Sequence, residues 1–312
     1  MAYWVKCPGV GAIRPEKLLQ AAPNQRQLQT RFSGISPGTE RLVGLGRVPR
    51  EAWGQMACRH MGGSFQFPIK YGYSLVGTDP DGEAYFTMHP HQTNAVVDKD
   101  TALPIPTAIP LDRAVMFPAM ETALNAVWDA GTIDSSAVVG GGLIGILIAY
   151  VEHQRTGQPV TVIETDPRRR VRLTTLEWVT ACAPDYQPSV RPSVVFHCSA
   201  SSKGLQWAID NSGFEASIIE VSWFGDRSVE VSLGNSFHYE RKRIISSQVA
   251  FVAAPRRGKA NHSERAKTVL ALMDDPALDD LLTPRIPFED LPNFMKTLYE
   301  QRADAFAPVV EY

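Results

Sequence analysis

The length, composition and charge of this chain exclude several classes of protein. The chain has 312 residues, of which 44% are hydrophobic, so it can bury the core of one large domain or two medium ones. Its formal net charge of −2 and its pI of about 6.4 give no electrostatic reason to expect nucleic acid or an anionic membrane as a partner. The sequence has no basic segment leading into an apolar run and no uncharged stretch of transmembrane length, which predicts a soluble, cytoplasmic protein that binds small molecules.

The first part of the chain, residues 1–117, has the pattern of a β-rich domain. Gln27–Phe32 alternates polar and larger side chains with a period of two, which is typical of a strand. Asp79–Gly82 has the composition of a type I turn and separates two strand-like segments, Tyr73–Thr78 and Glu83–Met88. Short strands and turns of this kind predict a small barrel. A connecting segment follows, marked by Pro104, Pro106, Pro110 and Pro118, and leads into a predicted helix over residues 121–130.

A glycine turn then joins an apolar strand to an apolar helix. Its glycines fill the pattern G-x-G-x-x-G, which permits a tight turn, a close approach of a pyrophosphate to the backbone, and close packing of the helix on the sheet. The predicted cofactor-binding residues of this turn and helix start are Gly140, Gly142, Leu143, Ile144 and Gly145. The sequence therefore predicts a dinucleotide site rather than a purely structural turn.

The strand after this helix ends at an acidic residue. Glu164 lies 24 residues after Gly140 and 19 after Gly145, where a carboxylate can accept hydrogen bonds from the adenosine ribose. It should repel a 2′-phosphate, which favours NAD(H) over NADP(H). Arg168–Arg170 leaves NADP(H) possible, since Arg169 or its neighbours can stack on adenine or meet a phosphate, although the trio can equally be a solvated helix face.

Strand and helix continue to alternate beyond Glu164. Asp166-Pro167 has the composition of a helix N-cap and first turn. Further core strands are predicted at 194–197, 216–221 and 243–249, followed by an amphipathic helix over 263–273, and the sheet domain is expected to end near Ala253. Trp223-Phe224 follows one of these strands and fits either a wall of the cofactor crevice or core packing. The tail carries a predicted strand over 281–286, a helix over 291–301 and a closing strand over 307–312, and we expect it to return to the first domain.

Two further features concern metal binding. The four cysteines are scattered without a C-x-x-C pair, so neither disulfides nor a cysteine-rich zinc site is indicated. His89-Pro90-His91 would place two imidazoles on one face of a strand. With no third ligand nearby in sequence, we favour hydrogen-bonding or substrate-contact histidines over a metal site, and a loop pair is the simplest interpretation.

The chain resembles the medium-chain dehydrogenase/reductase superfamily, the zinc-type alcohol dehydrogenase-like proteins. The similarity rests on Ser33-Gly34-Ile35-Ser36-Pro37-Gly38-Thr39-Glu40, on Gly72-Tyr73-Ser74, on the helix that begins at Thr122, and on the glycine turn. The resemblance implies an α/β fold with a Rossmann doubly wound parallel sheet and a GroES-like β-barrel catalytic domain. With the limits that the proline-marked segment and the end of the strand pattern indicate, the expected domains are 1–117 for the catalytic domain, 118–253 for the dinucleotide-binding domain and 254–312 for the returning tail.

The sequence departs from the zinc-dependent members of that family at two ligand positions. They carry Gly-Ile-Cys-Gly-Thr-Asp where this chain has Ser36 in place of the cysteine, and Gly-His-Glu where it has Tyr73 in place of the histidine. The cysteine-rich lobe that binds a structural zinc is absent, and zinc needs three or four nitrogen, sulfur or oxygen donors. These departures predict an enzyme without zinc.

These observations predict an NAD(P)(H)-dependent, zinc-independent oxidoreductase that interconverts a carbonyl and an alcohol, and we expect it to be a homodimer. The expected catalytic residues are Tyr73, Thr39, Ser36 and His91, with Tyr73 as proton donor, a cation such as Lys70 able to lower its pKa, and His91 as a connection to solvent. The alternative for Tyr73 is a buried, hydrogen-bonded tyrosine of the core. Thr122 is expected to contact the cofactor. A quinone or enoyl reductase is an alternative, although the Asn-x-x-Asp-x-x-x-Arg-x-Gly pattern typical of those enzymes is absent. A catalytically silent nucleotide-sensing protein on the same fold is a second alternative.

Overall fold

The computed structural model describes residues 1–17, 20–301 and 305–312. The chain divides into two compact units, of which the first combines Met1–Pro118 with Met273–Tyr312 and the second is Ala119–Leu272. In sequence, the second unit is therefore inserted between two segments of the first. None of the helices in the described ranges has the length and apolar character needed to cross a bilayer.

The elements are numbered here in chain order. The strands are β1 Ala2–Cys7, β2 Val10–Arg14, β3 Gln25–Gly34, β4 Gly62–Gly63, β5 Ile69–Lys70, β6 Leu75–Thr78, β7 Ala84–Thr87, β8 Asn94–Asp98, β9 Leu103–Pro104, β10 Ser136–Val139, β11 Val160–Ile163, β12 Val179–Cys182, β13 Val194–His197, β14 Ser217–Glu220, β15 Arg243–Ser246, β16 Arg285–Pro287 and β17 Val309–Glu311. The helices are α1 Pro37–Gly44, α2 Trp53–Met56, α3 Leu111–Ala114, α4 Phe117–Ala130, α5 Leu143–Thr156, α6 Pro167–Leu173, α7 Ser202–Asn211, α8 Ser236–Tyr239, α9 His262–Leu272 and α10 Leu291–Tyr299. Short 3₁₀ helices cover Arg50–Ala52, Ala254–Arg256, Pro276–Leu281 and Phe288–Asp290.

The second unit is built on a parallel sheet with the strand order β12-β11-β10-β13-β14-β15. All of its strand pairs are parallel and in simple register; Val139, for example, pairs with Ile163 on one side and with His197 on the other. The order reverses between β10 and β13, and open parallel sheets bind ligands at the carboxyl ends of their strands at such a point. The predicted fold class is thereby confirmed for this unit.

The helices that flank the glycine turn and β11 begin where their capping residues predict. α5 starts after Gly142 and ends at Thr156, and it is followed by Gly157, whose φ of 68° is the left-handed conformation that suits glycine at a helix C-terminus. α6 starts after Asp166, whose carboxylate accepts the backbone N–H of Arg168, and Pro167 occupies its first turn. The N-cap prediction at Asp166-Pro167 is thus confirmed.

The first unit contains two sheets that are largely antiparallel. One has the order β2-β1-β5-β4, and the other has the order β16-β17-β3-β6-β7-β9, with β8 also paired to β3. The hairpin β6-β7 turns at Asp79, whose Oδ1 accepts the backbone N–H groups of Asp81 and Glu83 at 3.0 Å each. β17 lies between β16 and β3, so the last strand of the described chain pairs within this unit.

Each unit has its own hydrophobic core. In the first, Leu28, Leu75, Ala95, Val97 and Ala102 form one buried cluster. In the second, the parallel strands meet α7 in another cluster, formed by Val139, Ile163, Val195, Leu205, Trp207, Ala208, Ile209 and Ile218. Burial of these apolar side chains is the dominant favourable contribution to folding, at about 25 cal/mol per Å².

Several segments differ from the sequence predictions, among them three in the first unit. Leu281 ends a 3₁₀ helix instead of beginning a strand, because Pro276 and the capping carboxylate of Asp275 start a helical turn; β16 begins only at Arg285. Tyr73 lies in a loop, since Gly72 adopts a φ of 142° and β6 starts at Leu75. The third is α1, which overlaps the motif of residues 33–40 quoted above, where no helix was predicted.

Candidate functional site

Of the three glycines that fill the G-x-G-x-x-G pattern, one position is open and two are crowded. A Cβ added at Gly145 would lie 2.0 Å from the carbonyl oxygen of Gly140, and one at Gly140, whose φ is 109°, would lie 2.8 Å from the backbone nitrogen of Ser199. Only glycine allows β10, the turn and α5 to pack so closely. A Cβ at Gly142 would meet no atom within 4 Å. The turn therefore leaves space at the residue that caps α5.

The open position at Gly142 lies at the N-terminus of a helix of fourteen residues. Leu143 and Ile144 form its first turn and are half-buried. First-turn N–H groups have no carbonyl partner within a helix, and the helix dipole adds positive potential there. A diphosphate fits this combination of exposed backbone, space and potential, so the residues present suit a dinucleotide.

Glu164 stands beside this turn at the end of β11. It is buried, with Oε2 accepting the Gly141 N–H at 3.0 Å and Oε1 accepting the Asp166 N–H at 2.8 Å. Arg169 Nη1 is 3.6 Å from Glu164 Oε2, whereas Arg170 donates to the carbonyl oxygen of Glu164 at 2.7 Å. Backbone hydrogen bonds thus hold the Glu164 carboxylate beside the glycine turn.

The other residues assigned to the crevice have varied surroundings. The Arg168 side chain is 91% exposed, which matches a solvated helix face for that member of the trio. Thr122 lies in α4 and is half-buried. Trp223 and Phe224 follow β14 and are also half-buried, and the Phe224 ring stacks on His197 with a centroid distance of 6.1 Å.

Three of the predicted catalytic residues meet in the first unit. The side chains of Ser36 and Thr39 lie close enough to the Tyr73 phenol to lower its pKa. Ser36 is the N-cap residue of α1, yet its hydroxyl makes no capping bond, and Thr39 lies in the first turn of that helix. The helix start therefore presents two hydroxyls to one phenol.

The pKa of Tyr73 moves in the direction opposite to the expected one. Burial raises the pKa to about 12, the side chains of Ser36 and Thr39 lower it, and the negative charge of Glu40 raises it further. Lys70 does not act on Tyr73 as expected, because its ammonium donates to Glu16 Oε1 at 2.6 Å and to Gln92 Oε1 at 2.8 Å. The phenol consequently stays protonated at neutral pH and is a hydrogen-bond donor.

A chain of buried polar groups continues from α1. His91 Nε2 is 2.9 Å from Glu40 Oε2, and His91 Nδ1 is 2.7 Å from Ser33 Oγ. The phenol of Tyr312 lies 2.9 Å from the same Ser33 Oγ. His91 is only 1% exposed, so the expectation that its ring connects the site to solvent is wrong; it bridges two buried groups instead.

Glu40 connects the start of α1 to the chain of polar groups that begins at His91. Its Oε1 accepts the backbone N–H of Ser36 at 2.8 Å while its Oε2 accepts His91 Nε2–H. As an ionised carboxylate only accepts hydrogen bonds, His91 in its neutral form carries its proton on Nε2 and accepts the Ser33 hydroxyl at Nδ1.

His89 and His91 do not act as a pair. Both lie in the loop between β7 and β8, and His89 Nδ1 is 2.8 Å from the carbonyl oxygen of Pro90. Burial lowers the pKa of His89 to about 3, so the ring is neutral, and it lies 5.0 Å from the ring of His60. Within residues 1–17, 20–301 and 305–312, no three or more His, Cys, Asp or Glu side chains are grouped as metal ligands would be.

Sequence reasoning missed Glu40, Ser33 and Tyr312 as site residues. Glu40 and Ser33 lie in the quoted family-like motif, and the four-residue spacing from Ser36 to Glu40 fits a helix start at which a carboxylate bonds back to the N-cap. Tyr312 is 279 residues from Ser33 and reaches it only because β17 pairs with β3. No local pattern could have indicated that contact.

The fold is similar to that of solved dehydrogenases over the whole chain. A 2R,3R-butanediol dehydrogenase from Bacillus subtilis superposes with a TM-score of 0.77 at 15% identity, covering 100% of this chain and 99% of that one. A putative zinc-binding dehydrogenase from Sinorhizobium meliloti bound to NADP gives 0.77 at 15% identity, with 100% and 98% covered. An acetophenone reductase from Geotrichum candidum in complex with NAD gives 0.75 at 13% identity, with 100% and 96% covered. No protein-family model matches the sequence. At these identities the likeness shows the fold, which is the α/β fold expected from the resemblance to medium-chain dehydrogenases.

Proposed function

We propose that the chain is an NAD(P)(H)-dependent oxidoreductase that interconverts a carbonyl and an alcohol. The observation that carries the proposal is the opening at Gly142, at the N-terminus of α5 and at the reversal of strand order. Solved structures of the same fold include one bound to NADP and one in complex with NAD. We assign cofactor binding to the second unit and proton donation to the first.

The cofactor is proposed to be NAD(H) in preference to NADP(H). Glu164 is buried and carries its charge beside the glycine turn, where it would bond to ribose hydroxyls and repel a 2′-phosphate. Arg169 Nη1 lies 3.6 Å from Glu164 Oε2 and partly compensates the negative charge of that carboxylate, so the preference for NAD(H) over NADP(H) should be limited.

The nicotinamide would supply the hydride, and the residues of the first unit would manage the charge that grows on the substrate oxygen. Tyr73 is proposed as the donor to that oxygen, because its raised pKa keeps the phenol protonated. Ser36 and Thr39, whose side chains lower the pKa of that phenol, are proposed to orient it. His91, Ser33 and Tyr312 form a hydrogen-bonded chain that ends at Glu40, and we propose that it fixes the position of that carboxylate.

We further propose that the reaction proceeds without zinc. Ser36 and Tyr73 occupy the positions at which the zinc-dependent relatives carry a thiolate and an imidazole, and a hydroxyl and a phenol are poor ligands by comparison. In this chain the Ser36 side chain acts on the Tyr73 phenol and lowers its pKa.

A substrate panel tests the proposal. Purified protein would be mixed with NADH or NADPH and with ketones, aldehydes, enones and quinones, while cofactor absorbance reports oxidation and cofactor fluorescence reports binding. We expect turnover with ketones or aldehydes. Turnover confined to quinones or enones would replace the proposal with the reductase alternative, and cofactor binding with no turnover on any class would favour the nucleotide-sensing alternative.

A further inference from the structure

A second group of reactive side chains lies in the second unit, where β13 and β14 end. Ser199 Oγ is 2.7 Å from His197 Nε2, and His197 Nδ1 is 2.7 Å from Glu220 Oε2. His197 and Glu220 are the last residues of two adjacent parallel strands and stand opposite each other in the register. The sheet itself therefore sets the imidazole–carboxylate pair, which the proposed hydride chemistry does not use.

The hydrogen bonds define how the protons are arranged in this group. Glu220 is held by the backbone N–H of Ser222, which donates to its Oε1 at 2.8 Å, so Oε2 is left to accept from His197 Nδ1. Neutral His197 must then accept the Ser199 hydroxyl at Nε2. This is the arrangement in which a histidine acts as the general base for a serine, oriented by a carboxylate.

The backbone presents Ser199 at a turn between a strand and a helix. β13 ends at His197 and α7 begins at Ser202, and between them Ala200 adopts a φ of 48°, a left-handed conformation that a residue with a Cβ rarely takes. Such local strain clusters at functional sites. Ser199 is half-buried, so solvent reaches part of this residue.

The first turn of α7 packs directly against the serine. A Cβ added at Gly204 would lie 2.2 Å from Ser199 Oγ and 3.0 Å from His197 Nε2, so the close approach requires glycine. α7 has ten residues, Ser201 caps it by accepting the Gly204 N–H at 3.0 Å, and the positive end of the helix dipole lies at this N-terminus. Negative charge that develops on a substrate oxygen beside Ser199 would be stabilised there.

We propose that Ser199 is the nucleophile of a second activity, the hydrolysis of small carboxylic esters, with His197 as general base and Glu220 as a positioning residue. Ser199 Oγ attacks the ester carbonyl, its proton passes to His197 Nε2, and that proton then goes to the departing alcohol, leaving an acyl group on Ser199. Water attacks the acyl group with His197 again taking a proton, which releases the carboxylic acid and restores the serine. The Phe224 ring, stacked on His197, provides an apolar wall for a short acyl group.

This inference goes beyond the proposed dehydrogenase function and does not rest on it. The test uses the full chain without added dinucleotide. Hydrolysis of p-nitrophenyl acetate would be followed by absorbance, and the protein would be treated separately with an alkyl fluorophosphonate, in which the serine oxygen displaces fluoride at phosphorus. Mass spectrometry of peptides then locates the phosphonyl group.

We expect about one phosphonyl group per chain, located on Ser199. Ser199→Ala should lose the adduct and reduce ester hydrolysis by about 100-fold or more. Ser189→Ala, which removes an exposed serine of the same unit, is the matched control and should behave as the unmodified protein. The absence of an adduct on Ser199, or hydrolysis by Ser199→Ala at the unmodified rate, would overturn the proposal. The adduct experiment needs no variant, so it decides the question even if Ser199→Ala fails to fold.

The pH dependence of ester hydrolysis tests the role of Glu220 separately. Its carboxylate stabilises the protonated imidazole, and the nearby Cys198 thiol stays neutral because burial raises its pKa. Glu220→Gln should lower the hydrolysis rate by about tenfold or more and move the midpoint of its rise with pH to lower pH. A merely structural glutamate would change the rate without moving that midpoint, and an unmoved midpoint would remove Glu220 from the mechanism.

Discussion

At the scale of single residues, Tyr73 is the group whose chemistry the proposed reaction depends on most. Tyr73→Phe removes the hydroxyl but keeps the ring and its edge contact with Tyr71, at a centroid distance of 6.1 Å. We expect kcat for ketone reduction to fall by about two to four orders of magnitude, because general acid catalysis contributes about that much. Cofactor affinity and Tm should remain nearly unchanged.

Tyr71→Phe is the matched control for this substitution. The Tyr71 hydroxyl donates to the carbonyl oxygen of Met56 at 3.1 Å and is not bonded to the α1 hydroxyls, so its loss should leave kcat within about twofold. A Tyr73→Phe enzyme that retains the unmodified kcat would remove Tyr73 from the mechanism and move the search to Thr39 and His91.

The raised pKa of Tyr73 also predicts how the two reaction directions depend on pH. Burial penalises the phenolate, so the pKa rises to about 12 and the phenol stays protonated below that value. Carbonyl reduction, which needs the protonated form, should not lose rate through Tyr73 between pH 7 and about 10, the reference pKa of tyrosine. Alcohol oxidation, which needs the phenolate, should gain rate across the same range. A reduction rate that falls with a midpoint near pH 7, and keeps that midpoint in Tyr73→Phe, would assign the titration to another group.

Glu164 predicts the choice of cofactor. Its buried carboxylate should make NADH bind at least about tenfold more tightly than NADPH. Glu164→Gln should reduce the ratio of the NADPH dissociation constant to the NADH dissociation constant. Glu177→Gln, at an exposed glutamate of the same unit, should leave it unchanged. Fluorescence titration gives both dissociation constants, and tighter binding of NADPH to the unmodified protein would contradict the argument from Glu164.

At the scale of secondary-structure elements, the turn between β10 and α5 offers a paired test of fold and function. Gly142→Val places its side chain where no atom lies within 4 Å and where φ is −83°, so the protein should fold with nearly unchanged Tm yet lose measurable dinucleotide binding. Gly145→Val, by contrast, collides with the carbonyl of Gly140 and should lower Tm by about 5 °C or more. Calorimetry and titration separate the two effects. Binding by Gly142→Val at the unmodified affinity would show that the diphosphate does not lie over this turn.

The elements that the sequence predicted well are those governed by strong local patterns. β10, β11 and β13 are short, almost wholly apolar runs, and α5 lies between glycines that mark both of its ends, so their existence and type follow from hydrophobic periodicity and capping. α1 has eight residues, includes Gly38, and shares its residues with a motif expected to form a ligand loop. Its helical start at Ser36-Pro37 was visible only as an N-cap followed by proline.

At the scale of the whole molecule, the absence of zinc is the prediction that most separates this chain from the zinc-dependent dehydrogenases that its sequence resembles. We expect elemental analysis of purified protein to find far less than one zinc per chain and activity to persist in a chelator, since the Ser36 hydroxyl and the Tyr73 phenol are poor zinc ligands. About one zinc per chain, with activity lost on its removal and restored on its return, would overturn the zinc-free proposal and direct attention to His89 and His91.

The candidate site was predictable only in part, because its residues are joined by contacts over long stretches of sequence. Ser36, Thr39 and Tyr73 could be singled out from short motifs, and the structure brings them together. The Ser33–Tyr312 contact depends on strand pairing across almost the full chain, and the true partners of Lys70 depend on the packing of β5 against a distant loop. Sequence patterns record local geometry, whereas charge environments are set by the folded arrangement.

The order in which the two units occur along the chain has a consequence for biosynthesis. The whole of Ala119–Leu272 leaves the ribosome before β16 and β17, so the second unit can fold while the first still lacks two strands of its larger sheet. Until β17 arrives, the Phe32–Gly34 segment of β3 presents unpaired backbone groups along one side. An open strand edge of that kind invites pairing with other chains. The nascent protein should therefore depend on chaperone protection up to the moment when β17 is added.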